Sequence, residues 1–296
     1  MCLIWGTTYL AIRVALETIP PALVGGLRYT IAGGVLILLL RWRGEPLPAR
    51  RHWAGLALLG LLMIVLGNGG VIWAEQWVPS GIAAVTVAST PFWMTGVEAA
   101  LPQGEPLSAR VILGLLIGFV GIVLLVWPDL TAGGARGHQF ALGVVALQVA
   151  SLGWALGSSY SRRHARDGNA LAAAAVQMIL GGAMMLAIAT ARGEWRQLAF
   201  TPRTLAAEGY LIAFGSLAGY PAYVYALKHL PVSTVSLYAY VNPVIAVLLG
   251  TLLLAEPFGP RVMVATATVF MGIVVVRGMV AGPKSRPRPG VGRAET

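Results

Sequence analysis

The residues able to do chemistry in this chain stand inside long apolar runs, where every polar group needs a reason. Trp5 and Trp154 occupy equivalent places in two such runs, 149 residues apart. At a spacing of 152 residues, Asn68 corresponds to Tyr220 and Trp73 to Tyr225. Aromatic walls suit amphipathic or cationic solutes, although any single ring also fits an interfacial belt or plain helix packing. Asn68 and Glu75 are seven residues apart, so on a helix they share one face. Glu75 falls near a helix end, where a carboxylate contacts a solute or a proton, or is simply solvated. Arg28 lies in an otherwise apolar run, where a charge costs about 2.5–3.5 kcal/mol on insertion scales. It either neutralises an anionic solute group or holds fixed partners such as backbone carbonyls. Tyr220, Tyr223 and Tyr238 add hydroxyls. Pro91 and Pro243, again 152 apart, follow Thr90 and Asn242. A proline inside a helix removes a hydrogen bond and clashes with the carbonyl four residues back, here Val87 and Ala239. Such kinks hinge a helix or expose carbonyls to a solute, or are purely structural. The reading that joins these groups places Asn68, Glu75, Tyr220 and Asn242 on one central cavity, with Trp5, Trp154 and Tyr223 close to it.

Other chemistry is absent from the pattern. His52, His138, His164 and His229 all fall in or beside loops, and Cys2 is the single cysteine. No internal disulfide or cysteine metal cluster can form. There is no HExxH, no Ser-centred GxSxG and no Walker loop. A membrane-embedded enzyme is therefore the weaker rival, and no metal or cofactor is implied.

The elements that must position these residues are membrane helices. The chain is 57% hydrophobic and only 11% charged, against about 25% charged in an ordinary soluble domain. Its mean hydropathy is +0.76. A bilayer core needs about 20 apolar helical residues per crossing. Ten spans are expected, near 1–16, 22–41, 53–74, 80–101, 110–127, 139–161, 169–191, 206–227, 231–254 and 261–280. The runs are continuously apolar rather than alternating, which favours helices over a barrel. Prolines punctuate the gaps, among them Pro20, Pro46, Pro79, Pro102, Pro128, Pro202 and Pro260. The first run begins at Met1 without leading residues, and the expectation is that this start clips a helical turn or two. Arg13 and Glu98 are expected to snorkel to the headgroups. Glu105-Pro106 and Glu256-Pro257 suggest capping and turn chemistry. Gly114 and Gly118 form a GxxxG close-packing face.

The formal charge of +10 sits in short blocks between apolar runs. That pattern implies topology and anionic lipid rather than nucleic acid. With ten spans both termini share a side, and that side holds fourteen Lys and Arg residues against five on the other. Both termini are accordingly expected in the cytoplasm, with residues 281–296 a disordered basic tail.

The landmarks recur at near-constant spacing: Ala74-to-Pro79 with Ala226-to-Pro231, Glu105-Pro106 with Glu256-Pro257, Gly121 with Gly272. Five spans per half is an odd number, so the second half enters from the opposite face. That is an inverted repeat, 1–128 and 138–280, of the kind secondary transporters use for alternating access. Duplication serving a passive channel is the alternative.

Trp5-Gly6-Thr7-Thr8-Tyr9, Arg28, Gly67-Asn68-Gly69, Trp73-Ala74-Glu75, Ser80-Gly81, Thr90-Pro91, Gly104-Glu105, Asn242-Pro243 and Ala255-Glu256 together resemble EamA-type members of the drug/metabolite transporter superfamily. The resemblance runs over about residues 2–280, departing at the clipped start and at Ala255, where Gly is usual. It implies an all-α membrane protein of two five-helix EamA repeats around a central cavity. The expected activity is export or exchange of small metabolites or drugs across the inner or plasma membrane. Without an ATP-binding element, uphill transport would draw on an ion or solute gradient, a proton being one option.

Overall fold

A computed structural model describes residues 2–101, 108–131, 133–164, 169–230, 235, 238–256 and 258–277, and among them the regular backbone is helical, with no strand. In chain order the helices are α1 Cys2–Ala15, α2 Pro21–Trp42, α3 Arg50–Ala74, α4 Ser80–Val87 and α5 Thr90–Ala100. Then follow α6 Ala109–Thr131, α7 Gly134–Arg163, α8 Ala170–Ala191, α9 Pro202–His229, α10 Tyr238–Leu254 and α11 Pro260–Arg277. Met1, Gly104, Glu105, Pro106, Pro257 and the 281–296 tail lie outside the described residues.

Six helices, α2, α3, α6, α7, α8 and α9, are long and apolar enough to cross a bilayer, while α1, α10 and α11 are shorter apolar helices. The run expected as one span at 80–101 is two helices, α4 and α5, broken at Ala88 and Ser89. The cause is Pro91, which cannot donate a hydrogen bond to the Val87 carbonyl. Thr90 Oγ1 donates to that carbonyl instead, at 2.7 Å.

Helix starts carry local and distant caps. Proline occupies the first position of α2 and α9, where no N–H is needed. Thr201 and Thr204 form a reciprocal capping box at α9, and Asn169 Oδ1 accepts from Leu171 N at α8. Two carboxylates cap from far along the chain. Glu194 accepts from Ala22 N at 2.9 Å and Leu23 N at 3.2 Å. Glu256 accepts from Ser80 N, Ser80 Oγ and Gly81 N at 2.8, 2.9 and 3.0 Å. Negative charge at a helix N-terminus answers unsatisfied N–H groups and the helix dipole.

The most extensive helix pairs are α2 with α8 and α6 with α11. At these crossings a Cβ on Gly33 would lie 2.9 Å from Ile179 N and one on Gly182 2.7 Å from Thr30 N. A Cβ on Gly121 would lie 2.7 Å from Val269 N and one on Gly272 2.5 Å from Gly118 N. Only glycine lets the backbones come this close. Outward faces of α6 and α11 expose Leu113, Leu116, Phe119, Met263 and Val274, as lipid contact requires. Inside, α1 packs on α9 and α10, and α7 packs on α3, α4 and α5.

Two helices contain nine-residue π-helical segments, Gly60–Asn68 in α3 and Leu211–Gly219 in α9. Asn68 Nδ2 donates to Met63 O at 3.2 Å, taking a carbonyl five residues back. In α9 the segment ends just before Pro221, whose ring excludes ordinary α hydrogen bonding at that turn.

Candidate functional site

The elements converge on a small internal cavity of about 70 Å³. Helix α1 supplies Trp5, Thr8 and Tyr9, α2 supplies Arg28 and α3 supplies Asn68. Thr90 of α5, Ser151 and Trp154 of α7, and Tyr238 and Asn242 of α10 complete its polar and aromatic wall. Pockets for drug-sized ligands are usually about 300–1,000 Å³, so this one is contracted.

Aromatic rings close one side. Trp5 stands 5.5 Å from Trp154, edge to face, and 5.1 Å from both Tyr223 and Tyr238. Trp154 lies 4.9 Å from Tyr223, and its Nε1 donates to the Tyr223 hydroxyl at 2.9 Å. Trp5 Nε1 donates to Gly215 O at 3.3 Å. Each tryptophan sits on a glycine of the other half. A Cβ on Gly219 would meet Trp5 Nε1 at 2.4 Å, and one on Gly67 would meet Trp154 at 2.9 Å. Both glycines lie within the π-helical segments.

A second space, about 510 Å³, lies toward the starts of α3 and α8 and the ends of α7 and α9. Its walls include Arg51, His52, Leu56, Leu59, His164, Gln177 and Lys228. Tyr220 and Tyr223 stand between the two spaces. The Tyr220 hydroxyl donates to Gln177 Oε1 at 2.9 Å, and Tyr223 shares hydrogen bonds with Trp154 and Ser158.

Of the residues singled out by sequence, Trp5, Arg28, Asn68, Trp154 and Asn242 line the cavity. Glu75, Tyr220 and Tyr223 do not. The tyrosines are fully buried in the partition just described. Glu75 is not at an open mouth: its side chain is buried and neither carboxyl oxygen has a hydrogen-bond partner. Pro91 stands at the α4–α5 break, and Pro243 lies inside α10.

Arg28 does more than one thing. It is 2% exposed, its Nε donates to Ser216 Oγ at 2.6 Å, and its guanidinium carbon lies 4.8 Å from the centre of the Tyr29 ring. Its Nη1 has no partner. Arg13 and Glu98, expected to snorkel, have protein partners. Arg13 donates to the Glu75 carbonyl oxygen, and Glu98 pairs with Arg163 at 2.9 Å while accepting from Ser159.

Sequence reasoning passed over Thr8, Ser151 and Ser216, and above all Glu208. Glu208 is buried on α9 with both carboxyl oxygens unpartnered. The available signal was a carboxylate two residues inside the span expected at 206–227, directly before the Gly209-to-Gly219 apolar run.

A helical membrane bundle enclosing a cavity of tryptophan, tyrosine, asparagine and arginine has the build of a solute transporter. The chain matches the EamA-like transporter family over residues 1–127 and 141–278, and it belongs to that family. It is 34% identical over 275 residues to the "Uncharacterized inner membrane transporter YedA" of Escherichia coli (strain K12), spanning 93% of this chain and 87% of YedA. It is 23% identical over 276 residues to the "Uncharacterized transporter YvbV" of Bacillus subtilis (strain 168), spanning 93% and 88% of the two chains. A solved crystal structure shares the fold at a TM-score of 0.66 and 21% identity, over 93% of this chain and 92% of that one. This is a multi-pass membrane protein, and its family and relatives place it among the transporters of small solutes.

Proposed function

We propose that this protein is a secondary transporter that carries small metabolites or drugs across the inner or plasma membrane by alternating access. In this reading ten helices form two inverted five-helix repeats, and the break at Ala88 and Ser89 is a hinge within the fourth. The cavity between Trp5 and Trp154 is the solute site. Asn68 and Asn242 orient the solute, and Arg28 contacts an anionic part of it.

One observation carries the reading. Trp5 and Trp154, equivalent by sequence spacing, meet at the cavity, each seated on the equivalent glycine of the opposite half. The exchange of such contacts is what a two-state gate between inverted halves requires. The larger vestibule lies at the end holding Arg51 and Lys228, and the aromatic partition separates it from the cavity. A passive channel is the second reading, and a buried aromatic partition speaks against it.

The test begins with a thermal-shift screen of purified protein against amino acids, nucleosides and cationic drugs, since a binder raises the melting temperature by mass action. With the best binder as probe, flux into proteoliposomes should saturate and accelerate when the probe is placed on the trans side. Linear flux with single-channel currents would instead establish the passive channel. Orientation is read separately. Cysteines in 43–52 and 162–167 should resist impermeant reagent in intact cells, and labelling of both from outside would reverse the assignment.

A further inference from the structure

Beyond the solute path lies a second polar cluster, around Glu208. Its side chain is 4% exposed, and neither carboxyl oxygen has a hydrogen-bond partner among the described residues. Arg28 of α2 is within electrostatic reach of Glu208 and of Glu75, and its Nη1 is likewise unpartnered. Most of the other charged or titratable groups on the facing elements are engaged. On α1, Arg13 donates to the Glu75 carbonyl oxygen. Glu17, just beyond α1, pairs with Arg203 at 3.2 Å. Tyr9 of α1 lies buried near Glu75, and Tyr29 of α2 lies under the Arg28 guanidinium. On α9, Tyr210 shares a hydrogen bond with Thr7. Glu256, also within reach of Glu75, is held by Ser80 and Gly81.

An ionised carboxylate with no donor in a dry interior is too costly to persist. A proton added to it removes the charge, and a proton can come and go only where the group is wet. The repeat supplies that wet state. Leu56, Leu59 and Gln177 line the open vestibule. At the spacing of 152 residues that pairs Asn68 with Tyr220, Leu56 and Leu59 correspond to Glu208 and Leu211, and at 149 residues Gln177 corresponds to Arg28. When the opposite end opens, Glu208 and Arg28 become the walls of the equivalent vestibule.

We propose that Glu208 is a proton-binding site that locks the end opposite the vestibule: protonated it is buried and that end is closed, ionised it faces Arg28 across water and that end is open. The proposal rests on the alternating-access reading. It adds a proton as the ligand and Glu208 as its acceptor, the proton passing from water to a carboxylate oxygen. Raising the pH should therefore open the opposite end.

The test uses the full chain, purified and reconstituted, with Cys2→Ser as background. One reporter is Ala11→Cys, at the position equivalent to Tyr160 of the open vestibule, and the other is Ser161→Cys within that vestibule. N-ethylmaleimide labelling rates are followed from about pH 5.5 to 8.5. Each rate is divided by that of the same reporter carrying Glu208→Gln, which cancels the thiol's own titration. The Ala11→Cys ratio should rise with pH, by up to about tenfold per unit for one linked proton. Glu208→Asp should retain a rise, with a displaced midpoint. If Glu208→Gln fails to fold, that displaced midpoint decides alone, and an unmoved one overturns the proposal. A flat ratio overturns it too, as does loss of the pH response in Glu75→Gln but not in Glu208→Gln. The Ser161→Cys rate distinguishes the underlying reading: it should fall as Ala11→Cys rises. Alternation that persists unchanged in Glu208→Gln sinks the proton site and leaves alternating access intact. A pH-responsive Ala11→Cys beside an invariant Ser161→Cys supports the proton site and removes alternating access.

Discussion

At the basic end, Leu56, Ala173, Gln177 and Val224 border a vestibule of about 510 Å³. The residues at the equivalent sequence positions, Glu208, Val24, Arg28 and Ile72, are all buried at the other end. The closures differ in chemistry as well as in volume. At the buried end, Glu194 and Glu256 reach from the second half to cap the starts of α2 and α4 in the first. At the basic end the described ties are exposed, Glu98 with Arg163 and Asn169 Nδ2 donating to Glu45 Oε2 at 3.2 Å, while Glu105, the counterpart of Glu256, lies outside the described residues. Five hydrogen bonds donated by helix starts to two carboxylates bind the closed end. A charge-assisted hydrogen bond in a partly buried site is worth more than a solvated one.

The largest expected effect comes from filling the closed end. A Cβ on Gly215 would lie 2.7 Å from Arg28 Nη2 and 3.1 Å from Thr8 Cγ2. Gly215→Leu should therefore block closure and cut transport by more than about tenfold, consistent with overpacking costs of about 1–3 kcal/mol. At the basic end, a Cβ on Gly55 meets only Tyr160 Oη, at 3.1 Å, beside the vestibule. Gly55→Ala should change transport by less than about twofold, since the tyrosine tip can give way. Counterflow assays on both variants, normalised to folded protein in the membrane, check the contrast. Equal losses would break it.

Cutting the ties comes next. Glu256→Ala removes three hydrogen bonds at the start of α4, a loss of about 1–2 kcal/mol by the scale of helix caps. That should raise Ala11→Cys labelling by about five- to thirtyfold, since 1.4 kcal/mol is a factor of ten. Glu45→Ala, which loses one solvated contact, should leave labelling at either end unchanged within about twofold.

How much of this was legible in the sequence depended on range. Apolar runs and prolines mark the helices because lipid exposure and proline geometry are local rules, and the Pro91 break is such a rule in action. The cavity wall was legible where a residue is conspicuous by type, as with Trp5, Trp154, Asn68, Asn242 and Arg28. Glu75 and Tyr220 were misplaced because a shared helical face says nothing of what the neighbouring helix puts there. The Glu256 turn motif was visible, yet its partner is 176 residues away at Ser80, beyond any local pattern. The π-helical segments left only traces, Gly60, Gly67 and Pro221, and their consequence for where Trp5 and Trp154 sit needs three dimensions. Glu208 was missed because its burial is made by α1 and α2, not by its own helix.

The gate rings should shift the balance less, and in opposite senses. Trp5→Phe loses the Nε1 hydrogen bond to Gly215 O at the closed end, and Trp154→Phe loses the one to Tyr223 in the partition beside the vestibule. One neutral hydrogen bond is worth about 0.5–1.5 kcal/mol. Trp5→Phe should raise Ala11→Cys labelling by about fivefold, and Trp154→Phe should leave it or lower it. A rise in both would mean that the two rings serve one gate rather than two.

The smallest effect is expected at the vestibule rim. The Glu98 and Arg163 side chains are 30% and 33% exposed, with their charged atoms 2.9 Å apart. Water competes for both charges, so the pair is worth only about 0–1 kcal/mol. Ser159 donates to the second Glu98 oxygen, and glutamine keeps an oxygen that can accept that bond. Glu98→Gln should therefore change transport by less than about threefold. Salt screens exposed charges over a Debye length that falls from about 10 Å at 0.1 M to about 3 Å at 1 M. The difference between Glu98→Gln and the unaltered protein should accordingly vanish on raising salt across that range, while the effect of Glu256→Ala persists. A loss in Glu98→Gln as large as in Gly215→Leu, undiminished by salt, would show that the basic end also closes to a dry contact, with Glu98 inside it. The two ends would then differ in occupancy at this moment and not in construction.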